Sequence, residues 1–159
     1  MLVCLLLVFH MRYSLSWENR RFVNKYFNEN FDDFKNTSIF IRGGDSAGHL
    51  VLFIGCDMKH NKGLYTIVFD DKKNEIVSTD THLMLDSSGL DKTAINRLAV
   101  RFMKYNLNCL AVDSNGNVDA RTEYSERPVL IRFSDKKYIT GAYKDWRKLK
   151  GLWYENTNQ

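Results

Sequence analysis

Residues 38–56 read Ser-Ile-Phe-Ile-Arg-Gly-Gly-Asp-Ser-Ala-Gly-His-Leu-Val-Leu-Phe-Ile-Gly-Cys. Two runs rich in β-branched, aromatic and aliphatic residues, 38–42 and 49–56, flank a short glycine-rich connection. That is the pattern of a β-hairpin. A second pair follows, with 64–69 and 75–80 on either side of Asp70-Asp71-Lys72-Lys73-Asn74. The connections are too short for helical crossovers, so the strands are expected to run antiparallel. Leu50, Val51, Leu52, Phe53 and Ile54 show no polar alternation, which predicts a central strand covered on both faces.

Helices are expected on either side of these hairpins. Residues 17–35 place Phe22, Val23, Tyr26, Phe27, Phe31 and Phe34 at helical spacing, with Ser16 available to cap the first turn. In 91–105, Ile95, Leu98, Ala99, Phe102 and Met103 follow the i, i+3, i+4, i+7, i+8 pattern. Ser88 and Asp91 have the spacing of a capping box. A second β section is predicted over 109–112, 118–124 and 129–133. Asn115-Gly116 offers the positive φ angles of a tight hairpin turn, and Pro128 opens the last strand. Tyr143, Trp146 and Leu149 repeat at helical spacing before Gly151, which reads as a short C-terminal helix over 143–150. The fold class expected is therefore α+β, with the helices packed on a mainly antiparallel sheet of about five to seven strands.

The chain of 159 residues suits a single domain over 17–159, and 44% apolar with 26% charged residues excludes wholesale disorder. Residues 1–16 form a separate apolar segment. Its core, Leu-Val-Cys-Leu-Leu-Leu-Val-Phe at 2–9, has the length of a signal-peptide core, and Ser14-Leu15-Ser16 is a small-x-small site beyond it. Arg12, Arg20, Arg21 and Lys25 all follow the apolar run, the wrong side for translocation. A cytoplasmic location is the expectation, export with cleavage near Ser16 the alternative, and a start at Met11 a third reading. Cys4, Cys56 and Cys109 are odd in number and form no CxxC pair, so neither a disulfide framework nor a zinc ribbon is expected.

Three groups of residues could carry chemistry. Gly44-Asp45-Ser46-Ala47-Gly48 matches the G-x-S-x-G nucleophile elbow, and it resembles the Gly-Asp-Ser-Ala-Gly of the hormone-sensitive-lipase-like α/β-hydrolases. The resemblance implies a serine esterase with Ser46 as nucleophile on a strand-to-helix turn. The segment after Gly48 reads as a strand, so a glycine-containing hairpin loop is the competing reading. Secondly, His49, Cys56, His60 and His82, with Asp57 and Asp80, could seed a metal site or a Cys–His pair. They lack the paired spacing of structural metal sites, and Cys56 ends an apolar strand, as an inert thiol would. No metal and no cofactor is expected.

The third group is the C-terminal tail. Net charge is +4 overall, yet residues 136–150 carry Lys136, Lys137, Lys144, Arg147, Lys148 and Lys150 against Asp145 alone, a local +5. Tyr138, Tyr143, Trp146, Trp153 and Tyr154 are interleaved with these cations. Lys144, Trp146, Arg147, Lys148, Lys150, Trp153 and Tyr154 are the candidate binding residues. Charge of this kind favours an acidic partner, and planar rings anchor interfaces. The composition fits a small non-enzymatic module acting through an acidic protein partner, of the inhibitor or immunity-protein kind. Nucleic acid, read by stacking and phosphate contact through the same tail, is the alternative.

Overall fold

The computed structural model describes residues 17–56, 63–84, 91–122 and 130–156. The apolar segment 1–16, the capping serines Ser16 and Ser88, His60, Asp57 and Pro128 lie outside the described residues. The leading hairpin forms as read, with β1 (Thr37–Gly44) antiparallel to β2 (Leu50–Cys56). Then β3 (Gly63–Asp70) and β4 (Glu75–Met84) extend the meander outward. On the other flank of β1 lies β5 (Cys109–Val112), followed by β6 (Val118–Arg121) and β7 (Leu130–Arg132). The chain then passes to the outer edge as β8 (Trp146–Lys150) and returns as β9 (Trp153–Asn156), inserted between β8 and β7. The described residues thus form one nine-stranded sheet, ordered β4-β3-β2-β1-β5-β6-β7-β9-β8, with every neighbouring pair antiparallel.

This corrects the expected fold in several respects. The sheet has nine strands rather than five to seven, and only two α-helices accompany it among the described residues: α1 over 17–25 and α2 (Lys92–Met103). The segment read as a C-terminal helix is the edge strand β8. Its helical spacing loses to backbone pairing with β9, because the turn at Gly151 folds the two segments directly against each other. Finally, among the described residues β2 is covered by helices on one face only. Leu52, Ile54 and Cys56 are buried beneath the helices, while Val51 and Phe53 on the opposite face are half-buried. There Phe53 stacks on Phe40 of β1, with ring centroids 5.6 Å apart, and the Arg42 guanidinium lies 4.9 Å from its centre. Stacking and the cation–π contact shield an apolar face that no helix of the described residues reaches.

The long helix read over 17–35 ends at 25. Asn30 accepts a hydrogen bond from the Asp32 amide and starts a 3-10 turn at Asp32–Phe34. The carbonyls released by the break are satisfied from elsewhere: Arg132 donates to Glu29 and Arg101 donates to Asn30. Phe31 and Phe34 still reach the core, so the apolar pattern was correct although the helix was not continuous. In α2, Asp91 is itself the N-cap, its carboxylate accepting from Ala94 N at 2.7 Å, rather than the third helical residue of a capping box.

Both helices lie on the same face of the sheet but over different parts of it. Ile95, Leu98, Ala99 and Phe102 of α2 pack over β4 and β2. Helix α1 sits over the C-terminal strands, where Phe22 meets Trp153 edge-on at 5.8 Å and buried Asn19 reaches Glu155. Between them, Arg101 bridges Glu29 at 2.6 Å and Asp33 at 2.9 Å, and Tyr105 donates to Glu29 at 2.8 Å. Partial burial alone would raise the Glu29 pKa. The hydrogen bonds from Arg101 and Tyr105, with the guanidinium charge, outweigh it and hold the carboxyl below its ordinary value.

Two measurements follow from this architecture. A carboxyl whose folded pKa is depressed contributes stability above its unfolded pKa and loses it as pH falls through the folded value. Glu29→Gln should therefore cost about 1–2 kcal/mol at neutral pH. In denaturant titrations the gap from wild type should close as pH falls below the unfolded value of 4.5. Gly151 has φ +58°, and a Cβ there would lie 2.8 Å from Phe27 Cε2. Gly151→Ala should lose about 1–2 kcal/mol from the left-handed backbone alone, whereas Gly141→Ala, in open space, should melt like wild type.

Candidate functional site

The serine motif lies in the β1–β2 hairpin turn, with strand on both sides. Asp45 organises it. Its Oδ1 accepts from Ala47 N at 2.9 Å and His49 N at 2.8 Å, its carbonyl accepts from Gly48 N, and its Oδ2 lies 2.9 Å from His49 Nδ1. Gly48 supplies the positive φ, +81°. The β5–β6 connection repeats this arrangement at Asp113-Ser114-Asn115-Gly116-Asn117. Asp113 Oδ1 accepts from Asn115 N and Asn117 N at 2.8 Å, Oδ2 accepts from Asn117 Nδ2, and Gly116 has φ +82°. Thus Asp-Ser-x-Gly followed by His or Asn is, in this chain, a five-residue turn used twice. Asn115 keeps a negative φ, because the aspartate, rather than a pair of positive φ angles, closes the turn. Ser46 sits at the exposed tip, and the other imidazole nitrogen of His49 faces Asp70 at 3.9 Å.

The histidines and cysteines are spread over the sheet. Cys56 points into the helix-covered face, where burial pushes its thiol pKa up. Cys109 lies on the opposite face of β5, its pKa raised to about 11 by burial. Register places Cys56 opposite Thr37 of β1 and Cys109 opposite Phe40, so the two thiols are separated along the strand as well as by the sheet. His82 on β4 bonds Thr66 on β3. Among the described residues, no group of three His, Cys, Asp or Glu side chains could hold a metal ion, and none of the helices is long and apolar enough to cross a membrane.

The tail residues are divided by strand alternation. Trp153, on β9, is 1% exposed and belongs to the core beneath α1. Its neighbour Tyr154 faces the other way, edge-on to Phe133 at 5.6 Å, and Trp146 and Phe133 both pack edge-on against Tyr143. Arg147 faces the helix side and pairs with Glu155, whose side chain is 3% exposed. Lys148 opposes Tyr154 on the other face, and Lys144 is exposed before β8 begins. Lys150 lies 4.4 Å from the centre of the Phe27 ring.

What the fold assembles from part of this set is a cleft of about 320 Å³ between α1 and β8, lined by Arg20, Val23, Asn24, Lys148, Leu149 and Lys150. A bulge between Lys148 and Lys150 turns the edge strand, so three consecutive residues reach the same cleft. Three cations line it and no carboxylate does. Sequence reasoning missed Arg20 and Asn24. They flank Val23 at helical spacing, and nothing local links them to residues nearly 130 positions away.

Arg147 holds a buried carboxylate and so has a structural duty that Lys148 lacks. Arg147→Ala should cost about 1–3 kcal/mol in chemical denaturation, the penalty of depriving a buried charge of its cation. Lys148→Ala should stay within about 0.5 kcal/mol of wild type. Compared with known proteins, the chain matches no protein-family model, no curated protein and no solved structure.

Proposed function

We propose that this protein is a small non-enzymatic binding module that acts through an acidic protein partner, using the basic surface formed by α1, β8 and the turn before β8. One observation carries the reading: three of the six residues lining the cleft between α1 and β8 are basic, Arg20, Lys148 and Lys150, and none is acidic. Arg20 and Lys148 make no ion pair with any described residue, whereas Arg101, Arg121 and Arg147 are each bound to carboxylates. Converging cations repel one another weakly in water, and a partner's carboxylates would relieve that repulsion and speed encounter. Val23 and Leu149, which also line the cleft, supply the less charged centre that interfaces need. Trp153 takes no part, since it is core, and Arg147 contributes by positioning the edge strand.

The test is affinity purification of the tagged full chain, followed by mass spectrometry, for wild type and an Arg20→Glu/Lys144→Glu/Lys148→Glu variant. Arg147 is left intact so that Glu155 stays paired and folding is preserved, which circular dichroism checks. Wild type should recover a stoichiometric acidic protein, and the variant should bind it on the order of tenfold more weakly, about 0.5 kcal/mol for each lost charge contact, with a flatter salt dependence. Equal binding by the variant rules out this surface. Recovery of nucleic acid in place of protein overturns the reading in favour of a nucleic-acid module.

A further inference from the structure

The same cleft has a second property, which comes from the sheet rather than from charge. As described, the sheet ends at β8, so alternate amides and carbonyls of that strand point away from β9. Helix α1 runs beside this edge and forms the other wall of the cleft. A sheet edge with a helix alongside is the geometry in which an extended peptide adds as a further strand: main-chain hydrogen bonds hold it, and the groove selects its side chains. We infer that the partner's contact is an extended acidic segment, which pairs with β8 along 146–148 and runs its side chains into the cleft lined by Arg20, Asn24 and Lys150.

Three details support an acidic strand over other occupants. Regular pairing of β8 with β9 covers Trp146, Arg147 and Lys148 and is interrupted at Leu149, so an added strand has a short regular edge followed by a bend into the cleft. The lysines along the edge discourage a second copy of the same strand, because like charges would face each other across the new pair. They attract carboxylates for the same reason. The cleft is about 320 Å³, room for a few side chains rather than for a folded element.

This inference rests on the proposed function, and its test separates strand addition from simple charge attraction. The probe is the peptide Ac-Glu-Val-Glu-Val-Glu-Val-Glu-NH2, titrated calorimetrically into the full chain at low salt. Two variants are N-methylated on the glutamates or on the valines, and a Lys-for-Glu version serves as the charge control. In an added strand only alternate amides face β8. The parent peptide should therefore bind and slow amide exchange within 146–148, and one methylated series should lose at least about tenfold affinity while the other retains it. The lysine version should not bind.

If both methylated peptides bind like the parent, the contact is charge alone, and strand addition is wrong although the basic-surface reading survives. If the parent fails to bind, or binds without protecting 146–148, the inference also fails. A dT12 oligonucleotide that displaces the parent peptide and protects the same amides would assign the edge to nucleic acid and overturn both readings. Protection of the outward-facing amides within 146–148 before any peptide is added would mean that the edge is already paired, and would overturn the inference as well.

Discussion

A nine-stranded antiparallel sheet buries one face only if something is laid across it, and here the covering is held by a seam of aromatic rings. Trp153 is fully buried on the last strand. Phe22 and Phe31 meet it edge-on at 5.8 and 6.3 Å, Phe31 continues to Tyr105 at 5.6 Å, and Tyr105 touches both Phe34 and Tyr26. The rings come from α1, the segment after it, the end of α2 and β9, so the first and last parts of the described chain are fastened at one place. Ring pairs of this kind add to a burial term that is already large for aromatics. Everything beyond β7 depends on the seam, because α1 is the cover for β9 and β9 is the strand on which β8 is built.

Polar chemistry inside the covered face is organised around the same seam. Glu29, Arg101 and Tyr105 close the gap between the two helices, and Asn19, Glu155 and Arg147 tie α1 to the final hairpin. Glu29 and Glu155 each have an opposite charge in contact, Arg101 and Arg147, which is the condition under which such groups are tolerated. The cleft between α1 and β8 follows another logic. Its cations are exposed and unpaired within the described chain, so they cost little in the free protein and stay available to a ligand. This difference separates the arginine that builds the site, Arg147, from the residues that face outward, Arg20 and Lys148.

The opposite face of the sheet is protected by its own means. Phe40 and Phe53 cover one another, Arg42 lies over Phe53, and Tyr143 packs on Phe133 and Trp146. These are local side-chain arrangements, and no helix of the described residues reaches them. The Asp-Ser-x-Gly turns at the ends of β1–β2 and β5–β6 likewise look the same in two distant places, because one aspartate carboxylate and one left-handed glycine suffice to reverse a strand.

The features legible in the sequence are those that depend on near neighbours. The hairpins of β1–β2 and β3–β4 follow from short polar connections between apolar runs, and α2 follows from a repeat that falls on one side of a helix. The tail was misread because Tyr143, Trp146 and Leu149 satisfy helical spacing, while the competing interaction, pairing with a strand that sits beside β7, is invisible locally. Once residues 146–150 are extended, side chains that a helix would gather on one face are sent to both faces of the sheet, which splits the basic–aromatic cluster. Tertiary structure alone decided that split, the burial of Trp153, and the meeting of Arg20 with Lys148 and Lys150. Those outcomes require a helix near the beginning of the chain to lie across strands near its end, and a contact of that range is selected by the fit of the whole covered face rather than by any spacing within either segment.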